Sequence, residues 1–488
     1  MPIISFTLTF VRSNKQEMRK FEIIKDLEIT AMGTEGKGIA KIDDKVVFIE
    51  GAIPGDVVDI RVRKIKKSFI EAEISSLKKK SAHRKDPFCE HFGICGGCKW
   101  QYIDYKKQIE FKRGRVLDNL QRIGKIDLPE VMPIVASEET EYYRNKLEFT
   151  FSNNRWLTKK EIESGEAMSR DALGFHIPRR FDKILQINHC YLQGSLSNEI
   201  RLSVDQYARE NSLEYFDLNE QTGLLRNLLI RTSRTGDIMV IVQFAKNEEV
   251  IIQKLLEHIH KTFPTVSSIM YVINTKKNDT FIDQEVLNYF GPGYINEIMI
   301  IPDSGRTLTF KIGPKSFFQT NSKQANILYN YVRELADIHE DEIVYDLYSG
   351  TGTIANFVAD KAKKVVGLEY VADAIEDAKV NSQINEISNT SFHAGDMKKL
   401  LTDEFFKKHG SPQVIITDPP RAGMPEDVCR MILKARPKKI VYVSCNPSTQ
   451  ARDLMLFDSD YAVKKVIPVD MFPHTLHVEN IILLHRRS

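Results

Sequence analysis

The chain has no long hydrophobic run, few cysteines and no low-complexity segment. No window approaches the 18 or so apolar residues that a membrane-spanning helix needs, and the first residues, MPIISFTLTFVR, have no basic segment before their short apolar stretch. Six unevenly spaced cysteines among 488 residues are too few for a disulfide scaffold. These absences predict a soluble, unexported protein with no membrane partner in a reducing compartment, the cytoplasm.

The composition is that of a globular protein with several domains. Apolar residues make up 42% of the chain and charged residues 28%, and at about 150 residues per domain the length suggests roughly three domains. The net charge of +3 conceals one basic stretch from Arg61 to Asp86, where ten lysines and arginines face three acids. That stretch predicts a polyanion-binding appendage, and a solvated charged face is the equal alternative.

Residues 20–80 show the period-2 alternation of short strands, with turn signals every 8 to 12 residues. This pattern predicts a small antiparallel, OB-like barrel, a fold that commonly holds single-stranded nucleic acid. A GxGIA turn at Gly36–Ala40 and a PGD turn at Pro54–Asp56 make the segment similar to the TRAM module of RNA-modifying proteins. Residues 1–19 are expected to form an N-terminal extension.

The rest of the chain divides into two regions. Residues 81–300 mix strands and helices without a dominant period and are interpreted as a central α+β domain, with a helix at about 102–124 that packs on the last domain. Residues 301–488 alternate strands and helices regularly, which predicts a doubly wound, mostly parallel α/β sheet. Ligands of such a sheet gather at the carboxyl ends of its strands.

A cofactor site is predicted where the strand ending in DLYSGTGT turns into a helix. Gly350 and Gly352 permit a tight turn and close backbone approach to a ligand, and Glu369, about twenty residues later, can accept ribose hydroxyls. The dinucleotide fingerprint GxGxxG is absent, and the segment resembles motif I of class I methyltransferases, which bind S-adenosylmethionine. A purely structural turn is the alternative. Asp396 is a candidate near the adenine or, alternatively, a loop-capping aspartate.

The candidate chemistry lies in SCNPST and HTLHVEN. Cys445 ends a strand just before Pro447, a favoured first helical residue, and a helix N-terminus stabilises a thiolate. A methyltransferase needs a thiolate when the acceptor is a poor nucleophile such as carbon 5 of uracil, and it then needs a base to remove the carbon 5 proton, for which Glu479 is the candidate. The alternatives are a buried structural cysteine, the reading given to Cys429, and a metal site with His474 and His477.

With DLYSGTG, DPPRAG, SCNPST and HTLHVEN in this order, the chain resembles the RNA uracil-5-methyltransferase family. The resemblance implies a class I, Rossmann-like methyltransferase domain, with Cys445 as nucleophile and Glu479 as base. It also implies that the S-adenosylmethionine contacts are Gln319, Tyr348, Glu369 and Asp418. Thr353 stands where some members have asparagine, so its contact with the cofactor is an expectation that departs from the family pattern.

Four further cysteines suggest a metal site. Cys89, Cys95 and Cys98 form C-x5-C-x2-C and Cys190 follows in NHCYL, and four thiolates can hold zinc or a [4Fe-4S] cluster. Spacing alone favours zinc, but the ribosomal RNA branch of the family carries a [4Fe-4S] cluster with this arrangement. Members acting on transfer RNA usually lack both barrel and cluster.

The resemblance therefore implies a monomeric enzyme acting on large-subunit (23S) ribosomal RNA. Three alternatives remain: a transfer RNA uracil-5-methyltransferase, a noncatalytic RNA-binding protein with a degenerate methyltransferase fold, and an amine methyltransferase using DPPR.

Overall fold

The computed structural model describes residues 19–33 and 35–487, so the predicted N-terminal extension, apart from Arg19, lies outside the described residues. The chain forms two compact units. The first runs to Phe88 and includes Trp100–Arg115, and the second comprises Cys89–Lys99 and the chain from Val116 onward. No helix within the described ranges combines the length and apolar character needed to cross a bilayer.

The first unit contains a six-stranded sheet with its own apolar core. Its strands are β1 (Ile23–Glu28), β2 (Ala31–Met32), β3 (Gly38–Ile42), β4 (Lys45–Glu50), β5 (Val57–Ile65) and β6 (Phe69–Lys79). The order is β1-β5-β6-β4-β3-β2, and every pair is antiparallel except β4 with β6. Alternate side chains such as Ala40 and Ile42 are buried, as the period-2 pattern predicts. The predicted antiparallel barrel therefore includes one parallel pair.

The PGD turn of this unit is a buried ionic junction. Gly55 has a φ of +90°, which glycine adopts without strain. The Asp56 carboxylate is fully buried and accepts hydrogen bonds from the backbone N–H groups of Ile53 (2.8 Å) and Ser81 (3.0 Å). The Arg84 guanidinium donates to both Asp56 oxygens, with its shortest contact at 2.7 Å. Arg84 is thus a structural part of the unit.

Acidic residues of the same unit partly neutralise the basic stretch. Arg84 and four other cations in it form ion pairs with acids of the same unit: Arg63 with Glu73, Lys78 with Asp59, Lys80 with Asp86, and Lys85 with Asp104. The cations that make no ion pair with any described residue are Arg61, Lys64, Lys66, Lys67 and Lys79. Polyanion binding by this stretch stays a prediction, and these five side chains are the ones it would involve first.

The middle of the chain forms a seven-stranded sheet with helices on one face. Its elements, after α1 (Tyr105–Arg122), are β7 (Lys146–Ser152), α2 (Lys159–Ser164), β8 (Ala172–Ile177), β9 (Arg180–Gln186), α3 (Ser195–Glu210), β10 (Leu225–Thr232), β11 (Ile238–Phe244), α4 (Glu249–Thr262), β12 (Ser268–Ile273) and β13 (Leu287–Phe290). The strand order is β13-β12-β11-β10-β7-β8-β9. Buried apolar residues of α3 and α4 pack on alternate residues of β7 and β10.

The last part of the chain is the doubly wound sheet. Its elements are β14 (Ile295–Ile300), β15 (Thr307–Ile312), α5 (Ser322–Ala336), β16 (Ile343–Leu347), α6 (Thr353–Val358), β17 (Lys364–Glu369), α7 (Ala372–Ile384), β18 (Thr390–Ala394), α8 (Met397–Leu400), α9 (Asp403–His409), β19 (Val414–Thr417), α10 (Glu426–Ala435), β20 (Lys439–Ser444), α11 (Pro447–Phe457), β21 (Tyr461–Val469) and β22 (Glu479–Arg486). β14 and β15 form a hairpin.

The sheet order is β18-β17-β16-β19-β20-β22-β21, parallel through β20 and antiparallel for the last two strands. This confirms the predicted α/β class. The strands are nearly continuous apolar runs because helices cover both faces. On one face, Val116 and Leu120 of α1 lie in the same buried cluster as Tyr345 and Leu347 of β16.

Candidate active site

One edge of the doubly wound sheet collects most of the predicted site residues. The carboxyl ends of its parallel strands lead into Tyr348, Glu369, Asp396, Asp418 and Cys445. β22 runs the opposite way, so its first residue, Glu479, lies at the same edge. The strand register brings Glu479 next to Cys445, because Ser444 of β20 is paired with Asn480 of β22.

The glycine turn after β16 is restricted by its backbone conformation and by close packing at Gly352. Gly350 and Gly352 have φ values of +52° and +74°, and a Cβ on Gly352 would meet Ala378 and Phe392 at 2.8 and 2.9 Å. Below the turn, the buried carboxylate of Asp346 accepts a hydrogen bond from the Ala355 N–H (3.0 Å), which joins the strand to the start of α6. Only glycine fits this close approach.

Glu369 is aimed at the same turn. Its Oε2 accepts a hydrogen bond from the Gly350 N–H (3.2 Å) and its Oε1 one from the Val371 N–H (3.0 Å). These contacts hold the carboxylate at the end of β17, where a ribose would lie in a nucleotide-type site.

The remaining cofactor candidates differ from one another in burial and in hydrogen-bond partners. Thr353 is buried at the start of α6, with its hydroxyl 3.3 Å from that of Thr351. Asp396 is the N-cap of α8 and accepts a hydrogen bond from the Lys398 N–H (3.1 Å), which is the capping role the sequence left open. Tyr348 is half-buried, and burial raises the pKa of its phenol.

Gln319 approaches the sheet from the loop before α5. Its side chain lies close enough to Tyr329 of α5 to lower the pKa of that buried phenol, and Tyr329 is a residue that the sequence did not point to. Burial raises the pKa of Tyr329, and Asp418, Asp346 and Glu479 raise it further. Tyr329 is therefore a neutral hydroxyl among the site carboxylates. Its signal in the sequence is only that of a core position on an amphipathic helix.

The two candidate reactive groups lie together with a third acid. Cys445 is half-buried, and burial, Glu479 and Asp418 raise the pKa of its thiol to about 11, against the opposing influence of Arg421. Glu479 is 4% exposed, and burial and Asp418 raise its pKa well above the ordinary value. Burial raises the pKa of Asp418 to about 7.

The surroundings of Cys445 act in opposite directions on its thiol. Pro447 does begin α11, with Asn446 as its N-cap, so the predicted helix N-terminus beside Cys445 is present. Burial and the nearby acids Glu479 and Asp418 raise the pKa of the Cys445 thiol and so oppose the helix N-terminus. A site lined by buried acids is one that favours a positively charged ligand.

The four other cysteines gather beside the central sheet. Cys190 is buried in the apolar cluster under that sheet, and Cys95 and Cys98 pack against the cluster. Burial, Cys190 and Cys89 raise the pKa of the Cys95 thiol to about 11. Within the described ranges, no three or more histidine, cysteine or acidic side chains are grouped as closely as a single metal ion requires.

The fold and the strand-edge site are those of an S-adenosylmethionine-dependent methyltransferase. The family model for tRNA (uracil-5-)-methyltransferase matches residues 283–487, and the TRAM domain model matches residues 24–75. An uncharacterized RNA methyltransferase of Bacteroides thetaiotaomicron is 54% identical over 93% of this chain and all of its own length. One from Chlorobaculum tepidum is 36% identical over 96% of this chain and 97% of its own length.

A solved structure of a uracil methyltransferase is similar to this chain in fold. The tRNA (uracil-54, C5)-methyltransferase of Pyrococcus abyssi, in complex with S-adenosyl-L-homocysteine, matches with a TM-score of 0.72 at 27% identity, over 94% of this chain and 100% of that one. The chain belongs to the RNA uracil-5-methyltransferase family and is an RNA methyltransferase that uses S-adenosylmethionine.

Proposed function

We propose that the enzyme methylates carbon 5 of a uridine through a covalent adduct between Cys445 and the base. The observation that carries this proposal is the juxtaposition of Cys445 with Glu479, which the β20–β22 register holds at one strand edge. An amine methyltransferase needs no thiol there, and a degenerate fold has no reason to keep the pair.

The chemistry assigns each residue one task. Cys445 adds to carbon 6 as its thiolate, and the electron pair displaced from the carbon 5–carbon 6 double bond makes carbon 5 nucleophilic. Bound S-adenosylmethionine would supply an electrophilic methyl group on a positively charged sulfur; a bond from carbon 5 to that methyl carbon would form as the methyl–sulfur bond breaks, which leaves the sulfur neutral. Glu479 then takes the proton from carbon 5, the double bond re-forms, and Cys445 leaves as thiolate.

The acid-lined pocket fits that cofactor. Asp346, Glu369, Asp418 and Glu479 place four carboxyl groups around one strand edge, and burial raises the pKa values of Asp346, Asp418 and Glu479. A positive charge bound there would stabilise the ionised forms of Asp418, Glu479 and Cys445 together. We assign Glu369 to the ribose, and Gln319, Tyr348, Gly350, Gly352, Thr353, Asp396 and Asp418 to the rest of the cofactor.

We also propose that Cys89, Cys95, Cys98 and Cys190 hold a [4Fe-4S] cluster. Each thiolate of such a cluster binds a different iron atom, so the four sulfurs stand further apart than ligands of one zinc ion. The electrostatic influence among Cys89, Cys95 and Cys190 supports a shared site, and the family resemblance is the reason to prefer a cluster to zinc.

Large-subunit ribosomal RNA is the proposed substrate, with transfer RNA as the second candidate. The cysteine set supports ribosomal RNA, because the family branch with this arrangement acts there. The Pyrococcus abyssi structure favours transfer RNA, since its match over 94% of this chain has to include most of the barrel region. The barrel therefore does not separate the two substrates. We place the enzyme in the cytoplasm as a monomer.

One experiment tests both the reaction and the substrate. Ribosomal and transfer RNA from cells lacking the protein are incubated with enzyme and S-adenosylmethionine after labelling uridine carbon 5 with tritium. We expect tritium release and new 5-methyluridine in large-subunit ribosomal RNA. Release from transfer RNA alone would select the second candidate, and methylation without tritium release would contradict carbon 5 chemistry.

A further inference from the structure

The loop after β19 carries two residues that act on the Cys445 thiol. We call residues 418–424, which lie between β19 and α10, the Asp418 loop. Asp418 at its start raises the pKa of the thiol, and Arg421 in its exposed part lowers that pKa. Because electrostatic influence falls with distance, the position of this loop determines how strongly each group acts on the thiol.

Hydrogen bonds connect the backbone of this loop to the first turns of α11. Asn446 Nδ2 and the Thr449 hydroxyl donate to the Arg421 carbonyl at 3.1 and 3.2 Å. The Arg452 guanidinium donates to the Ala422 carbonyl at 3.0 Å. Residues 420–422 are exposed, so hydrogen bonds rather than apolar packing keep this part of the loop in place. Since α11 begins just after the proposed nucleophile, these bonds join the loop to the segment that contains the thiol.

Asp453 of α11 is a buried acid at the end of the loop, with 1% of its surface exposed. Its Oδ2 accepts hydrogen bonds from the Met424 N–H (2.8 Å) and from the Tyr442 hydroxyl (2.7 Å). Its Oδ1 accepts a hydrogen bond from Arg452 Nη2 (2.7 Å). One carboxylate therefore connects the loop, β20 and α11, and its loss would leave buried donors without an acceptor.

Gly423 brings the loop backbone directly against this carboxylate. Its φ is +78°, a conformation that glycine adopts without strain. A Cβ on Gly423 would lie 2.6 Å from Asp453 Oδ2 and 2.7 Å from Arg452 Nη2. Both atoms are hydrogen-bonded to the backbone of the same loop. A methyl group at this point would therefore push the loop away from α11.

We propose that Asp453 is a positioning residue that holds the Asp418 loop against α11 and thereby sets the distances of Asp418 and Arg421 from the reactive thiol. This inference rests on the proposed function, because that function makes Cys445 the nucleophile. Asp453 acts through the loop and is given no contact with a reacting atom. Its removal should change the ionisation of Cys445 before it changes the fold of the sheet, whose strands have their own apolar cores.

Two variants displace the loop from opposite sides. Asp453→Leu removes the acceptor of the Met424 N–H, and Gly423→Ala inserts a methyl group between the loop and α11. Thermal melting of each variant reports whether it is folded. Alkylation of Cys445 by iodoacetamide is then followed against pH, without cofactor, by mass spectrometry of the peptide that contains it.

Both variants should be alkylated faster than the wild type. Asp418 raises the pKa of the thiol more strongly than Arg421 lowers it, so displacement of both groups should lower that pKa. A fall of about half a unit from about 11 makes alkylation at pH 9 about threefold faster. Asp453→Asn keeps one oxygen for the Met424 N–H and should be alkylated more slowly than Asp453→Leu. Asp458→Asn, which changes an exposed acid at the end of the same helix, should match the wild type.

A double variant shows whether Asp453 acts through the loop. Asp418→Asn alone should also speed alkylation, and in the Asp453→Leu or Gly423→Ala background it should do so less, because the group it neutralises is already displaced. Fully multiplicative effects in both backgrounds would overturn the proposal, as would a wild-type pH profile in a folded Asp453→Leu or Gly423→Ala. If Asp453→Leu does not fold, Gly423→Ala decides alone.

The reaction itself is scored separately, by tritium release from the wild-type enzyme. No release with an Asp453-dependent pH profile contradicts only the reaction. Normal release with an Asp453-independent profile contradicts only the positioning role, so the two proposals fail differently.

Discussion

The protein has two regions in which the pKa of a half-buried thiol is raised, and the neighbours of the two thiols differ. At the strand edge, Cys445 is surrounded by carboxyl groups, and at the central sheet, Cys95 is surrounded by other thiols. Both thiols have a pKa of about 11. A proton or a bound cation can neutralise the carboxyl groups beside Cys445, which would lower the pKa of its thiol again. The rise in the Cys445 pKa is therefore reversible. Clustered thiols all ionise together only when a metal compensates them.

The largest expected effect separates the reactive thiol from a merely buried one. Cys445→Ala should lower turnover about 10⁴-fold or more and abolish the covalent adduct with 5-fluorouridine RNA, because no other group can attack carbon 6. Cys429, fully buried on α10, provides the matched control. Cys429→Ala should keep the adduct, as gel electrophoresis of the denatured complex will show. An adduct in Cys445→Ala would remove the distinction between the two regions.

The thiol cluster should determine stability. Anaerobically purified enzyme is expected to be brown with about four irons, as the cluster stoichiometry requires. Cys190→Ser should lose the iron and unfold the central domain, because Cys190 lies in the apolar cluster beneath the sheet. Iron analysis and thermal melting check this. Stoichiometric zinc without iron would instead support the interpretation based on spacing.

Glu479 should affect the end of the reaction more than its beginning. Glu479→Gln removes the base, so turnover should fall about 10² to 10⁴-fold while a covalent enzyme–RNA species accumulates. Denaturing gels of reactions with unmodified RNA measure that species. The double variant Cys445→Ala, Glu479→Gln should show none. Normal product release by Glu479→Gln would assign the proton transfer to another group.

Replacement of Asp418 is expected to have the smallest effect. It tests directly whether a nearby carboxyl group raises the pKa of the Cys445 thiol. Removing its charge in Asp418→Asn favours the Cys445 thiolate, so the pKa of the thiol should fall below about 11. A fall of one unit raises the thiolate fraction about ninefold at pH 9. Iodoacetamide labelling of Cys445 against pH, without cofactor, follows the change. Labelling of Cys95 should be unaffected, and equal shifts at both thiols would contradict the comparison.

Asp418 also couples the site to stability. Its pKa rises from the ordinary 3.8 to about 7, so between these values the folded protein holds a proton that the unfolded chain releases. The free energy of unfolding should therefore decrease as pH rises from about 4 to 7. Urea titrations should show a weaker decrease in Asp418→Asn.

The order of motifs was sufficient to predict the doubly wound sheet and the edge at which the site forms. Gly350, Gly352 and Glu369 could be predicted because turn glycines and a strand-end acid are local features with a fixed spacing. The pairing of Cys445 with Glu479 was also predictable, since each residue lies beside a recognisable apolar strand.

Features that depend on contacts distant in sequence were missed. The sequence showed the helix beside Cys445 but not that Asp418 lies close enough to raise the thiol pKa. Tyr329 looked like any core tyrosine. Arg84 counted as one cation of a basic run, although it is bound to Asp56, 28 residues earlier.

The position of β22 has a consequence for the synthesis of the protein. This strand follows every other strand of the sheet in the chain, yet it lies between β20 and β21 rather than at an outer edge. During synthesis, β20 and β21 therefore leave the ribosome before β22, the strand that pairs with both of them and carries Glu479. On the proposed mechanism, a nascent chain with Cys445 already in place would still lack the base, and turnover would begin only once β22 has inserted.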